Sequence, residues 1–489
     1  MLNRRDLLKL GAFVPAVALG ATGSAPDGGS SVDLIPQSLP GPSTTGPDSP
    51  RFPPFRDALR IGPIAKPISR NDTTDTYGLT AKTAEVQVLP GKKTVIWGYD
   101  GLFPGPTIVQ RSRRRTVVVH KNALPINTVV RFHGAHTPPQ FDGYPTDYIL
   151  PGTTREYDYP LKQRGATLWF HDHTMDYTAR NSYMGLVGLF TLTDSEQDAL
   201  NLPKGEFDVP LLIQDRIFTQ DNQFYFPGLE HDGLLGDTLM VNGTVQPYFR
   251  VARRKYRFRL LNGSASRAYL LALSNGQEFV QIATDLGLMK APVTRRELLL
   301  ANAERYEVII DFSRVPLNSS ITLKNLYGDE TTTEVMRFDV VREAADTSSI
   351  PSRLSSLVIP TESQAVRTRE FLFHRSHGQW LINDKAFEPH RSDANIKLGT
   401  REIWKFVNKS GGWFHPIHVH DVGFFVLDRN GVKRSDYEAG LKDTVFLGPN
   451  ETVRVITQPF EDFTGQYAFH CHNMVHEDAR MMGTFEVVT

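Results

Sequence analysis

Val241-Asn242-Gly243, then Pro247, then Tyr256-Arg257-Phe258-Arg259-Leu260-Leu261-Asn262: this stretch decides the fold, because the chain writes it three times. Upstream, Tyr99-Asp100-Gly101 with Pro104 and Pro106 leads to Val117-Val118-Val119-His120-Lys121-Asn122. Downstream, Ile382-Asn383-Asp384 with Pro389 leads to Trp404-Lys405-Phe406-Val407-Asn408. The closing asparagines stand 140 and then 146 residues apart. A period of that size means copies of a whole domain, since solenoid repeats run to roughly 20–50 residues. Each copy is β in character. Tyr256–Leu260 alternates aromatic or aliphatic side chains with arginine, the period-two pattern of a half-buried strand. Thr167–Phe170, Tyr306–Phe312, Thr452–Thr457 and Gly465–His470 are similar runs, separated by Gly, Pro, Asn and Asp. Few stretches keep a helical period. An all-β chain of three Greek-key β-barrel or sandwich domains is expected. The domains should span 55–195, 200–345 and 365–489, with a linker over 346–364.

The composition agrees. At 489 residues the chain is long enough for roughly two to four domains. Acidic and basic residues balance, 54 against 54, which removes the electrostatic case for nucleic acid or a membrane surface as partner. The longest apolar run, Leu10–Ala21, is too short to span a bilayer. Met1–Lys9 carries adjacent Arg4 and Arg5, and small residues follow the apolar run. Residues 1–25 therefore read as a twin-arginine-type signal peptide and 26–54 as a flexible Gly/Ser/Pro-rich segment. That implies export to the periplasm, cell envelope or exterior through the twin-arginine machinery. The chain has a single cysteine, Cys471, so no intramolecular disulfide forms. In an exported chain a lone cysteine needs another reason.

The histidines supply one. Of 15, nine fall in four clusters. The first domain holds Arg131-Phe132-His133-Gly134 and Trp169-Phe170-His171-Asp172-His173. The third holds His415-Pro416-Ile417-His418-Val419-His420 and His470-Cys471-His472-Asn473-Met474-Val475-His476, with Met481 beyond. The second has none; its counterpart of the first cluster reads Gly263-Ser264-Ala265-Ser266-Arg267, a spacer. On a strand, residues i and i+2 share a face, so His-x-His offers two imidazoles to one point. His470 and His472 should face one way and Cys471 the other, toward a separate site. A thiolate with imidazoles and a weak axial thioether is the ligand set of a blue-copper centre, and His415, Cys471, His476 and Met481 provide it. The remaining pairs, drawn from the first and third domains, would meet as a multinuclear imidazole site. Imidazole suits several metals; the neighbouring thiolate set selects copper.

Together with Phe103-Pro104-Gly105-Pro106-Thr107, these motifs resemble the three-domain multicopper oxidases, in the branch of bilirubin oxidases and bacterial spore-coat laccases. The resemblance runs from about Arg51 to the C-terminus. It implies cupredoxin-like domains and copper as cofactor, with O2 and a small aromatic reducing substrate as partners. It further implies that a type 1 copper on His415, Cys471, His476 and Met481 accepts electrons singly. These would pass through Cys471 to its neighbours. One type 3 copper would take His133, His171 and His472, the other His173, His420 and His470. A type 2 copper would take His418 and the first histidine of the first motif, and the cluster would reduce oxygen to water.

That first histidine is missing. The family pattern is His-x-His-Gly, and the chain has Arg131-Phe132-His133-Gly134. A guanidinium stays protonated and has no free lone pair, so Arg131 cannot replace imidazole. Three outcomes stay open: weak type 2 binding by His418 and water, an absent type 2 copper, or substitution by another imidazole, His136 being nearest in sequence. Carboxylates near the cluster should carry protons, and Asp142 and Glu477 match the family's acidic positions. Asp142 also reads as an Asp-Gly turn residue, and Glu477 as a cap or ion-pair partner. Asp172 should face away. Trp413 should border the type 1 site, stacking on a donor or packing. Phenolic or similar aromatic donors are expected. A Cu(I)/Fe(II) oxidase, or a non-catalytic copper protein serving as electron carrier or interaction module, are the alternatives. No phosphate-binding loop is present.

Overall fold

In the computed structural model the described residues are 35–37, 39, 45–229 and 232–489. The signal expected over 1–25 lies outside them. The described strands form six sheets, which fall into three sequential pairs. In the first pair, a sheet built around Thr74–Val86 and Arg115–Asn122 faces one built from Ile108–Arg111, Val187–Thr193, Ala166–Asp172 and Val130–His133. The second pair has seven and five strands, the third six and five. Among the described residues helices are few and short: Thr178–Tyr183, Ser195–Asp198 and Met474–Asp478, besides single 3-10 turns. The chain is all-β, as its spacing predicts.

The thrice-written phrase builds the same two devices in each copy. The first is a turn. Asp100 and Gly101, Asn242 and Gly243, and Asn383 and Asp384 are consecutive residues at positive φ. That pair defines a type I′ turn, and Asn, Asp and Gly tolerate it at least cost. The leading residue then docks on a neighbouring strand. Its backbone N–H donates to the carbonyl of Thr80, Leu212 or Leu372 at 2.7, 2.9 and 2.9 Å. Its Oδ1 accepts the N–H of the same residue at 2.9, 2.8 and 2.7 Å.

The second device is a corner at the closing asparagine, fully buried in all three copies. Oδ1 of Asn122, Asn262 and Asn408 accepts the N–H two residues on, in Leu124, Ser264 and Ser410. Nδ2 of Asn122 donates to Ile126 and Ile149 carbonyls at 2.7 and 2.8 Å. In Asn262 the acceptors are Arg267 and Leu300, at 2.8 and 3.0 Å. In Asn408 they are Trp413 and Gly448, at 2.7 and 2.8 Å. One amide thus satisfies three backbone groups where the chain leaves a central strand, groups that would otherwise be buried unpaired.

One expectation is corrected. Lys255–Asn262 is not half-buried: its arginine face is covered too. Arg257 and Arg259 both pair with Glu307, and Arg259 also takes Asp208 through Nε and Nη2, each at 2.7 Å. Thr167 of the first domain donates to Glu307 at 2.7 Å and accepts from Arg259 at 3.1 Å. The polar face meets another domain rather than water, and its charges are buried because they are paired.

Asn262→Ala removes three buried hydrogen bonds and orphans their partners, a loss of about 2–4 kcal/mol. Denaturant unfolding of the metal-free protein should show it; a change below about 1 kcal/mol would contradict the corner's role.

Candidate metal centres

Two pairs of neighbouring strands carry the imidazoles. Val130–His133 runs antiparallel to Ala166–Asp172, with Arg131 opposite His171 and His133 opposite Trp169. His415–Val419 runs antiparallel to Gly465–Cys471, with His418 opposite His470 and Ile417 opposite Cys471. Where the first and third domains meet, the side chains sort into two buried triads. His133, His171 and His472 form one, and His173, His420 and His470 the other; the nitrogens within each lie within 4.8 Å of one another.

Here strand geometry refines the spacing argument. The pairs His171/His173 and His470/His472 do not converge on one point but split, one imidazole to each triad, whereas of His418 and His420 only His420 joins a triad. Two residues on a strand advance about 6.6 Å, and the His171 and His173 rings stand 6.0 Å apart, those of His470 and His472 5.4 Å. That span reaches two adjacent positions.

Cys471 points the other way, into the core of the third domain. Its Sγ lies 3.3 Å from His415 Nδ1 and 3.6 Å from His476 Nδ1, and those nitrogens are 3.2 Å apart. The far nitrogens are occupied. His476 Nε2 donates to the Asp232 carbonyl at 2.7 Å, which leaves Nδ1 with its lone pair free. His415 Nε2 meets Ser410 Oγ at 2.7 Å. Met481 is buried in the same core, and its carbonyl accepts the Cys471 N–H at 3.1 Å. Asn473 donates its backbone N–H to Sγ at 3.4 Å. The spacer of the second domain supports this loop: Ser266 donates to Asn473 Oδ1 at 2.6 Å, and Met474 N–H donates to the Ala265 carbonyl.

Trp413 precedes the His415 strand rather than sharing its face, and meets His476 edge-on at 5.4 Å. The closer aromatic is Trp380, whose ring lies 3.9 Å from that of His476 at 32°. Trp380 carries no signal in the sequence, because it stands on Gln379–Ile382, a strand with no local mark of the site.

The donor sets suit a metal. Burial holds the imidazoles of His133, His171, His173, His415, His418, His420, His472 and His476 below their ordinary range, His171 and His415 to about 3. They are neutral at neutral pH, the form that ligates. Burial likewise pushes the Cys471 thiol up, so a metal would have to displace its proton. Nε2 of His470 lies 3.4 Å from that of His173 and 3.3 Å from that of His420. Nitrogens in trigonal array at bonds of about 2.0 Å stand about 3.5 Å apart, so the contacts have the size of a shared ion. In the other triad His133 Nδ1, His171 Nε2 and both nitrogens of His472 are buried without a hydrogen-bond partner. Such groups are costly unless something fills the space between them.

The fourth position does not fit. Arg131, fully buried, sits on the same strand face as His133 and enters the cluster where the family pattern puts an imidazole. Its Nη1 forms an ion pair with Asp142 Oδ1 and donates to the Asp142 carbonyl at 2.9 Å. Its Nη2 faces His418 Nε2 at 3.4 Å. His418 Nδ1 donates to the Asp443 carbonyl at 2.9 Å, so Nε2 carries the lone pair that meets the guanidinium. His136 is no substitute: its ring nitrogens lie 2.9 and 3.3 Å from Asp421 and Asp462, away from the triads.

The carboxylates lie against the triads. Asp142 caps a turn before Gly143, as its Asp-Gly context suggests, yet its side chain also bridges Arg131 and His420 Nδ1, the latter at 2.6 Å. Burial pushes its carboxyl up to about 6 against the pull of Arg131. Glu477 lies 3.3 Å from His173 Nε2 and 3.1 Å from His470 Nδ1. Asp172 turns away, accepting from Val129, Thr174 and Asn181. Asp443, which the sequence reading did not single out, lies 3.2 Å from His133 Nε2 and is held by both ends of Arg305 at 2.7 and 2.6 Å. Its only local signal is its place beside Lys442, another buried charge.

Three β-sandwich domains with a thiolate–imidazole set beside paired imidazole triads define a cupredoxin-fold metalloprotein. The sequence model of the multicopper oxidase family matches residues 80–197, and a second model of that family matches 359–489. Bilirubin oxidase of Albifimbria verrucaria is 37% identical over 471 residues, covering 89% of this chain and 82% of its own. Laccase of Bacillus subtilis (strain 168) is 35% identical, covering 88% and 98%. The crystal structure of a laccase from Pediococcus acidilactici Pa5930 superposes with a TM-score of 0.83 at 30% identity, covering 94% and 98%. The chain belongs to the multicopper oxidase family: it is a copper-dependent oxidoreductase that uses O2.

Arg305→Met would leave the Asp443 carboxylate buried beside His133 without its counter-charge. The expected cost is about 3–5 kcal/mol, read by denaturant unfolding of the metal-free protein; a loss under 1 kcal/mol would show that Asp443 does not need the pair.

Proposed function

We propose that the protein is an exported, laccase-like oxidase of phenolic or similar aromatic donors, and that Arg131 impairs its type 2 position and lowers turnover without preventing the other sites from loading. The type 1 set is His415, Cys471, His476 and Met481. His133, His171 and His472 hold one type 3 copper, and His173, His420 and His470 the other. When bound, copper supplies one-electron oxidation at the first set and oxygen reduction at the paired triads. The observation that carries this reading is Cys471 itself: its sulfur belongs to one set and its sequence neighbours His470 and His472 to the two triads. One short peptide path therefore joins donor side and oxygen side.

The other roles follow from position. Asp142 and Glu477, in contact with His420, His173 and His470, are placed to hold the protons that oxygen reduction consumes. Trp380 covers the His476 ring and shields the donor-side imidazole. Aromatic donors are supported by the relatives, which are named for laccase and bilirubin oxidase activity. Export rests on Arg4 and Arg5 with the apolar run behind them; no helix among the described residues is long and apolar enough to cross a membrane.

Oxygen uptake with a phenol should exceed uptake with Fe(II) or Cu(I), and Cys471→Ser should abolish it together with the type 1 absorption. Arg131→His should raise turnover at full copper loading. Preference for a metal ion would replace the donor class, and no uptake with any donor would remove the oxidase reading.

A further inference from the structure

The Arg131 guanidinium does more than vacate a ligand position; it fills one. A first-row metal–imidazole bond is about 2.0–2.1 Å long. An ion on the His418 Nε2 lone pair, along the 3.4 Å line to Arg131 Nη2, would lie about 1.4 Å from that nitrogen. No ion fits there while the guanidinium stays. Arg131 is held in place by two bonds from Nη1 to Asp142, whose other oxygen is bonded to His420. The set that His418 forms with His133 and Asp443 has the spacing of a metal site, but its donors are engaged with one another and with Arg305. Both Asp443 oxygens are taken by Arg305, and the Asp443 carbonyl takes the N–H of His418. Arg131 Nε is buried and without a hydrogen-bond partner, an unspent N–H in the cluster.

We propose that Arg131 is a resident cation in place of the fourth copper, that the chain holds three coppers, and that its oxygen reduction stops at hydrogen peroxide. The inference rests on the phenol-oxidase reading above. The three ions belong to the His133/His171/His472, His173/His420/His470 and His415/Cys471/His476 sets. Each such ion, when bound, would exchange one electron, so together they would hold three. Cleaving O–O to two waters takes four electrons and four protons. Two electrons suffice for peroxide: two phenols each lose one electron and one proton, becoming phenoxyl radicals, and O2 takes both electrons and both protons. The O–O σ bond survives, two O–H bonds form, and the balance is two phenols and one O2 giving two phenoxyl radicals and one H2O2. The fixed charge of Arg131 and its free N–H favour a reduced, negatively polarised oxygen species beside them.

The test compares copper-loaded wild type with Arg131→His. Copper per chain is measured by elemental analysis, type 2 copper by low-temperature EPR, and product by an oxygen electrode with a phenol, catalase being added after uptake. Wild type should show three coppers and a type 1 signal alone, and catalase should return half of the oxygen consumed. In Arg131→His a fourth copper and a type 2 signal should appear and the catalase return should vanish. Four coppers with a type 2 signal in wild type would overturn the inference while leaving the phenol-oxidase reading intact. So would oxygen uptake with no catalase return. No uptake with phenols by three-copper protein would defeat the product assignment and the phenol-oxidase reading together. The wild-type measurements decide the matter even if the variant fails to fold.

Discussion

The five N–H groups of Arg305 tie the molecule together at its metal centre. Nε donates to the Thr167 carbonyl of the first domain at 3.0 Å. Nη1 donates to the Ala303 carbonyl, and Nη2 to that of Asp285, both in the second domain. The two remaining donors grip the Asp443 carboxylate of the third. Asp285 closes the arrangement by accepting the N–H groups of Arg305, Asp443 and Thr444. A guanidinium with every donor used can lie fully buried without the penalty of an unpaired charge. Because Asp443 also touches His133 and holds the N–H of His418, this one side chain sets how the first and third domains present their imidazoles to each other. Among the described residues the second domain adds no side chain to the metal sets, yet it is what positions them.

Much of this was legible in the sequence, and the reason differs from part to part. The β class and the repeat were legible because turns and corners are local: Asn242-Gly243 and Asn262 act within their own domain, so the chain must spell them out each time. The metal residues were legible because coordination chemistry accepts few side chains, and nine histidines around one cysteine have little other use. The pairing of imidazoles into triads followed from resemblance to the family, whereas strand spacing alone suggested convergence on one point. Three features stayed hidden. Trp380, Asp443 and the buried faces of Arg257 and Arg259 depend on contacts between segments far apart in the chain, 96 residues for Trp380 and His476, or between domains. An alternating Tyr-Arg-Phe-Arg run looks the same whether water or a neighbouring domain covers its arginines.

The cluster also shows how far a single substitution reaches in a packed ionic environment. Arg131 is long enough to span the place of an imidazole and its metal together, and it finds Asp142 waiting as a counter-ion. A shorter or neutral side chain would leave Asp142 and His418 facing an empty space. The guanidinium faces both, so the corner beside the triads is filled and its carboxylate paired although no imidazole stands there.

The three asparagine corners, finally, bear on ancestry. Asn122, Asn262 and Asn408 close their domains with the same bonds although the residues around them have diverged. A gene segment encoding such a domain can be copied in tandem, and each copy arrives able to close on itself. One copy can then go without imidazoles, as the second does at Gly263–Arg267, and serve as a brace. A metal cluster shared between two domains needs two copies of the unit, and the repeated corner is what lets each copy close by itself.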